Sequence, residues 1–192
     1  PATAGILARL GYEIDMSVVP RIDFSSDGGP DFTAFNEDPY WFGPDGTLLE
    51  IPATASWCGA LSSYGAGIQS MLKSNIGLRL HMPGILARLG LFERIRLSPE
   101  GTGFAELKRL TDAMLAAGKR LFSLSYHSPS LEPGHTPYVR NQAELQSFLA
   151  VIERYCDYFF GVCGGQPTTP AALRSLLLGR EAAGPQLALS PA

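Results

Sequence analysis

The chain has 192 residues, enough for one domain with a substantial core. Its composition is 45% hydrophobic and only 17% charged, against an average of about 25% charged, which argues against a disordered chain. A net charge of -3 without a cluster of Lys and Arg gives no electrostatic footprint for nucleic acid, and no apolar run approaches the roughly 20 residues of a membrane span.

Taken in order, residues 1–10 read as the end of a helix, with Ile6, Leu7 and Leu10 as its apolar stripe and Gly11 as its stop. Residues 12–19 (YEIDMSVV) read as a strand closed by Pro20. Asp15 lies inside that run and needs a partner or a cavity, unless it is a surface carboxylate on an edge strand. Residues 21–47 form a long irregular stretch with Phe32, Phe35, Tyr40, Trp41 and Phe42 among acidic residues, Gly and Pro. Irregular stretches of this length are functional or disordered, and the aromatics oppose disorder. Two accounts stay open: a carbohydrate-facing surface, or a loop packing its own aromatics as a small satellite core. Residues 48–52 (LLEIP) are a short strand with Glu50 as its one charge, and 53–67 are a second loop carrying Trp57 and Tyr64.

Helices are expected over 68–80 and 84–89, the latter ended by Gly90. The heptad GILARLG occurs at 5–11 and again at 84–90, which two Leu/Ala/Arg helices ending in Gly explain without a repeat architecture. Residues 94–97 read as a strand, Ser98-Pro99-Glu100-Gly101 as a turn, and 104–117 as a helix with Leu107, Leu110, Met114 and Leu115 on one face and Gly118 as its cap. Residues 121–126 then alternate Leu121, Phe122, Leu124 and Tyr126 with Ser123 and Ser125, as a strand does, and stop at His127-Ser128-Pro129. A histidine at the carboxyl end of a strand that follows a helix is where α/β sheets and barrels place their chemistry, although a hydrogen-bonded strand-end histidine without a chemical role fits equally. Asn141 and Glu144 read as a capping-box pair for a helix over 142–160. Thr169 and Pro170 begin a last helix, and 179–192 read as a flexible tail. The alternation of strand and helix predicts a parallel α/β architecture. Cys58, Cys156 and Cys163 lack metal-site spacing and are read as buried or incidental thiols.

The runs GYEIDMSVVP, GGPDF, LLEIP and above all YHSPSLEPGHTPYVR resemble the polysaccharide deacetylases of the NodB type, in particular their WalW-like branch, over residues 1–178. The resemblance implies an α/β fold, a distorted (β/α) barrel of the NodB deacetylase type, incomplete here at the N-terminus. It implies hydrolysis of acetyl groups on a polysaccharide or sugar substrate with a divalent metal, usually zinc. The family's Leu-x-His motif supplies the acid that protonates the leaving group. Leu124-Ser125-Tyr126-His127 approximates it with one extra residue, which places that role on His127. Tyr126 or Leu124 would wall the acetyl pocket, Tyr40 and Trp41 would meet the sugar, and Asp15, in the Gly-Tyr-x-x-Asp-x-Ser segment, would support the catalytic groups.

The family's Asp-Asp pair, its His-x-x-x-His metal motif and its arginine motif do not occur in the sequence, and His81, His127 and His135 lack ligand spacing. The expectation is therefore the C-terminal part of a deacetylase domain, with the metal held by the full-length parent, none bound by this fragment, and the fragment alone inactive. The chain begins with Pro1, so its true start is expected upstream; the cytoplasm is favoured as its compartment, and oligomeric state is left open. Two other readings are a carbohydrate-binding module or degenerate deacetylase without catalysis, and a hydrolase with Ser125 or Ser128 as nucleophile and His127 or His135 as base.

Overall fold

A computed structural model describes residues 2–61 and 91–182. The helices expected over 68–80 and 84–89, the second GILARLG copy, Tyr64, His81 and residues 183–192 lie outside the described residues. Helix α1 (Ala2–Arg9) ends as its sequence dictates. Gly11 takes φ +76, Tyr12 N–H returns to the Leu7 carbonyl (3.0 Å) and Gly11 N–H to that of Ala8 (3.1 Å). That is the paired closure a left-handed glycine permits just past a helix.

Strands β1 (Ile14–Asp15), β2 (Tyr40–Phe42) and β3 (Leu48–Glu50) make one sheet in the order β1-β3-β2. β1 runs parallel to β3, with Asp15 opposite Glu50, and β2 runs antiparallel to β3, with Tyr40 opposite the same Glu50. β4 (Ala55–Cys58) and β5 (Glu93–Arg96) form a second, antiparallel pair. Two of these strands fall in stretches expected as loops, 21–47 and 53–67. Of the expected parallel α/β architecture, the described residues show one parallel pair, β1 with β3, beside two antiparallel pairs.

The rest of 21–42 is held locally. Asp23, Asp31 and Asn36 each accept a backbone N–H two residues on, at 2.8–2.9 Å, the Asx turn these side chains favour. Its aromatics pack on one another in a chain of ring contacts from Phe24 through Phe32, Phe35 and Tyr40 to Phe42. This ring packing is what the satellite-core account expects.

Helix α2 (Phe104–Ala116) buries Leu107, Leu110, Thr111 and Met114, and Gly118 at φ +82 closes it. Residues 121–126, expected as a strand, form no ladder. Ser125 N–H reaches the Leu97 carbonyl (3.1 Å), but Ser123 N–H goes to the Thr54 hydroxyl (2.7 Å). The neighbouring strand cannot continue: Ser98 N–H bends back to the Arg96 carbonyl, and Pro99 has no N–H to give. Helix α3 (Gln142–Cys156) is capped by Asn141, whose side chain accepts from Glu144 N–H at 3.0 Å. It passes into a π-helical turn (Asp157–Val162) where one regular helix was expected. Helix α4 (Pro170–Ala182) starts on the Thr169 hydroxyl and runs past Gly179 into the expected tail.

The main core joins β4, β5, α2 and α3 through Cys58, Ile95, Leu97, Leu107, Leu110, Met114, Tyr155 and Tyr158, with Phe122, Leu124 and Phe159 packed on it. Each fully buried leucine contributes about 1.5–3 kcal/mol through removal from water. All three cysteines are free thiols, and Cys58 is buried.

Candidate active site

Alternation along an extended chain sends neighbouring side chains to opposite faces, and it separates the core-facing from the outward-facing side chains of each strand. Ile95 and Leu97 join the helix-covered core, so Arg94 and Arg96 point the other way. Phe122 and Leu124 also reach that core, while the Ser125 hydroxyl accepts from Arg96 Nη2 at 3.2 Å. In the first sheet, Trp41 carries Arg174 of α4 over its ring at 5.7 Å. Its row therefore faces α4, and the next row, Asp15–Glu50–Tyr40, faces away.

His127 ends the 121–126 segment. Its Nδ1 lies 2.7 Å from Glu100 Oε2, and its backbone N–H donates to Glu100 Oε1 at 3.0 Å. Ser130 Oγ, fully buried, donates to the same Oε1 at 2.6 Å and meets Thr136 Oγ1 at 3.0 Å. The loop sequence explains this local geometry. Pro129 starts a 3-10 turn over Ser128–Leu131, Ser130 N–H closes it on the His127 carbonyl (2.9 Å), and the turn aims Ser130 inward. Burial alone would raise the Glu100 carboxyl, but bonds from Ser130 and from the His127 N–H and ring hold it below the usual carboxylate range. An ionised carboxylate only accepts, so Nδ1 carries a proton toward it and Nε2 is left for exchange with a ligand. The His127 side chain is 63% exposed and that of Glu100 4%: an open imidazole on a buried anchor.

Asp15 is half-buried on β1 and accepts from Ser17 Oγ at 3.1 Å. Its register partner Glu50 is 1% exposed, with Oε1 accepting from Val18 N–H at 3.0 Å. Burial, opposed by the Val18 bond and reinforced by Asp15, pushes Glu50 up to about 7. Burial, with Glu50 and Asp15 beside it, likewise pushes the Tyr40 hydroxyl up to about 12. No hydrogen bond or ion pair among the described residues joins Asp15 to His127, so these are two separate groups.

The remaining expected residues are placed less favourably. Leu124 packs on the core, and Tyr126, 39% exposed, sets its ring edge-on to Phe148 at 5.5 Å. Tyr40 belongs to the aromatic chain and Trp41 to the α4 side. A 440 Å³ cavity lies between residues 120–124 and the end of α3, lined by Leu121, Phe122, Leu124, Tyr155 and Phe159 among others, and does not include His127. His135 sits 3.6 Å from Glu132 on the surface. Neither Ser125 nor Ser128 hydrogen-bonds a histidine among the described residues, so the serine-hydrolase reading has no supporting contact. Glu100 and Ser130 went unrecognised in the sequence, and nothing local marks them. Glu50 was recognisable, as the one charge in a buried strand.

Among the described residues no three His, Cys, Asp or Glu side chains converge as a metal cage requires. The divalent metal implied by the resemblance does not fit onto them. Compared with known proteins, the chain matches no family model, no curated protein and no solved structure.

Proposed function

We propose that this chain supplies the leaving-group acid of a polysaccharide deacetylase, a distorted barrel of the NodB type whose metal ligands lie outside the described residues. The observation that carries the reading is the His127–Glu100 pair: Nδ1 anchored at 2.7 Å to a buried carboxylate while the ring stays open to solvent. When the bond between the acetyl carbon and the sugar nitrogen or oxygen breaks, the departing atom takes up negative charge. A proton from His127 Nε2 neutralises it, and Glu100 stabilises the imidazolium before that transfer and fixes its direction. Asp15 has a supporting role, beside Glu50 and away from the proton transfer.

The test is acetate release from an acetylated oligosaccharide, with the reading frame upstream of the Pro1 codon determined in parallel. The 192-residue chain alone is expected to release none. A chain extended to include an in-frame Asp-Asp pair and His-x-x-x-His is expected to be active, and His127→Ala should lower its kcat about 10²–10⁴-fold. Upstream sequence without those groups, or activity indifferent to His127→Ala, would overturn the proposal.

A further inference from the structure

Four described arginines bury Nε without any hydrogen-bond acceptor: Arg94, Arg96, Arg109 and Arg174. Two of them have carboxylate partners, Arg109 with Glu93 and Arg174 with Glu13. Among the described residues Arg94 and Arg96 have none. Arg94 Nη2 donates to the Pro20 carbonyl at 2.7 Å, and Arg96 Nη2 to the Ser125 hydroxyl at 3.2 Å. Glu37 acts on Arg94 through space, but Arg21 occupies both its oxygens, at 2.7 and 3.5 Å. Two guanidinium groups thus project from alternate positions of β5, away from the core that Ile95 and Leu97 join, with Arg21 nearby and no carboxylate of their own among the described residues. Such an arrangement is costly in the free protein. Burial first, then the neighbouring charges of Arg96 and Arg21, lower the Arg94 pKa, and unpaired buried donors carry a desolvation penalty.

An anionic ligand would relieve both costs, and the guanidinium fork suits a planar carboxylate. The location narrows the ligand further. Arg96 touches Ser125, and Ser125 lies two residues, about 7 Å of extended chain, before His127. We propose that Arg94 and Arg96 form a binding site for the carboxylate of a uronate unit in an acidic glycan, which sets a neighbouring sugar toward His127. The choice of a sugar rests on the deacetylase reading above; the carboxylate rests on the arginine pair alone.

The experiment is a calorimetric titration of the 192-residue chain, in low salt, with an oligoglucuronate and with its carboxyl-reduced, neutral counterpart. Saturable binding of the acidic oligomer is expected, at least about tenfold tighter than the neutral one, with Arg96→Gln weakening it about tenfold. Arg94→Gln should do the same. Because Arg94 also ties down Pro20, Arg96→Gln is the deciding variant, with its fold verified by circular dichroism. No binding, equal binding of the two oligomers, or binding unchanged in Arg96→Gln overturns the site. Equal competition by free acetate and by glucuronate would overturn the sugar while retaining an anion site. Acetate release is not the readout, so failure here and failure of the deacetylase reading are distinguishable.

Discussion

At the scale of single residues, Glu100 and Glu50 are two buried carboxyls driven in opposite directions. Glu100 collects donors from Ser130 and from the backbone and ring of His127, and stays ionised. Its folded pKa is depressed, so its stabilisation is present above the unfolded value of about 4.3 and is lost as pH falls through the lower folded value. Glu100→Gln should therefore cost about 1–3 kcal/mol in urea unfolding at pH 7, the deficit shrinking toward pH 3. Glu50 has one backbone donor and a carboxylate neighbour, and its pKa rises to about 7. Its contribution is present below about 4.3 and is lost as pH rises through 7. Glu50→Gln keeps an acceptor for Val18 N–H and cannot ionise. It should match the parent near pH 4.5 and exceed it by about 1–3 kcal/mol at pH 8, read from the same unfolding curves. A parent more stable than Glu50→Gln at pH 8 would contradict this account.

At the scale of elements, helix boundaries follow local chemistry closely. Gly11 and Gly118 adopt the left-handed backbone that closes α1 and α2, while Asn141 and Thr169 open α3 and α4 through their side chains. Asn141→Ala should cost about 1 kcal/mol in urea unfolding. The capping box itself is displaced by one residue, since the backbone N–H that the Glu144 carboxylate accepts from is that of Arg140 rather than that of Asn141. After the π-helical turn the chain passes close under Phe159, and a Cβ at Gly165 would overlap that ring. Gly165→Ala should lower stability by about 1–3 kcal/mol, and pairing it with Phe159→Leu should recover part of the loss. Strands are less legible than helices. β2 and β4 lie in stretches read as loops, and residues 121–126 look like a strand but form no ladder. A strand needs a partner edge at the right height, and the bend at Ser98-Pro99 removes it here.

At the scale of the whole molecule, the described residues hold two polar groups outside the helix-covered core: Asp15 with Glu50 on the first sheet, and Arg94, Arg96 and Ser125 beside the second, with His127 two residues beyond Ser125. No metal donor set assembles among the described residues. Zinc or EDTA should accordingly leave the thermal midpoint of the 192-residue chain unchanged, whereas site-specific zinc binding would raise it in proportion to the logarithm of zinc concentration. A midpoint that climbs with zinc would require donors beyond those described.

What the sequence determined by itself is local. Helix periodicity, glycine stops, side-chain caps and the position of His127 just past a hydrophobic segment all depend on residues a few places apart, whose geometry is set by backbone sterics and hydrogen bonding. Leu107, Leu110 and Met114 on the buried face of α2 followed for the same reason. The tertiary structure alone decided which distant groups meet: Glu100 with His127 across 27 positions, Glu50 with Val18 across 32, and Arg96 with Ser125 across 29. Those pairings come from how strand ends and loops are brought together by the common core, and they set the charges. A carboxylate's protonation depends on the donors and burial that surround it after folding, and no spacing along the chain encodes either.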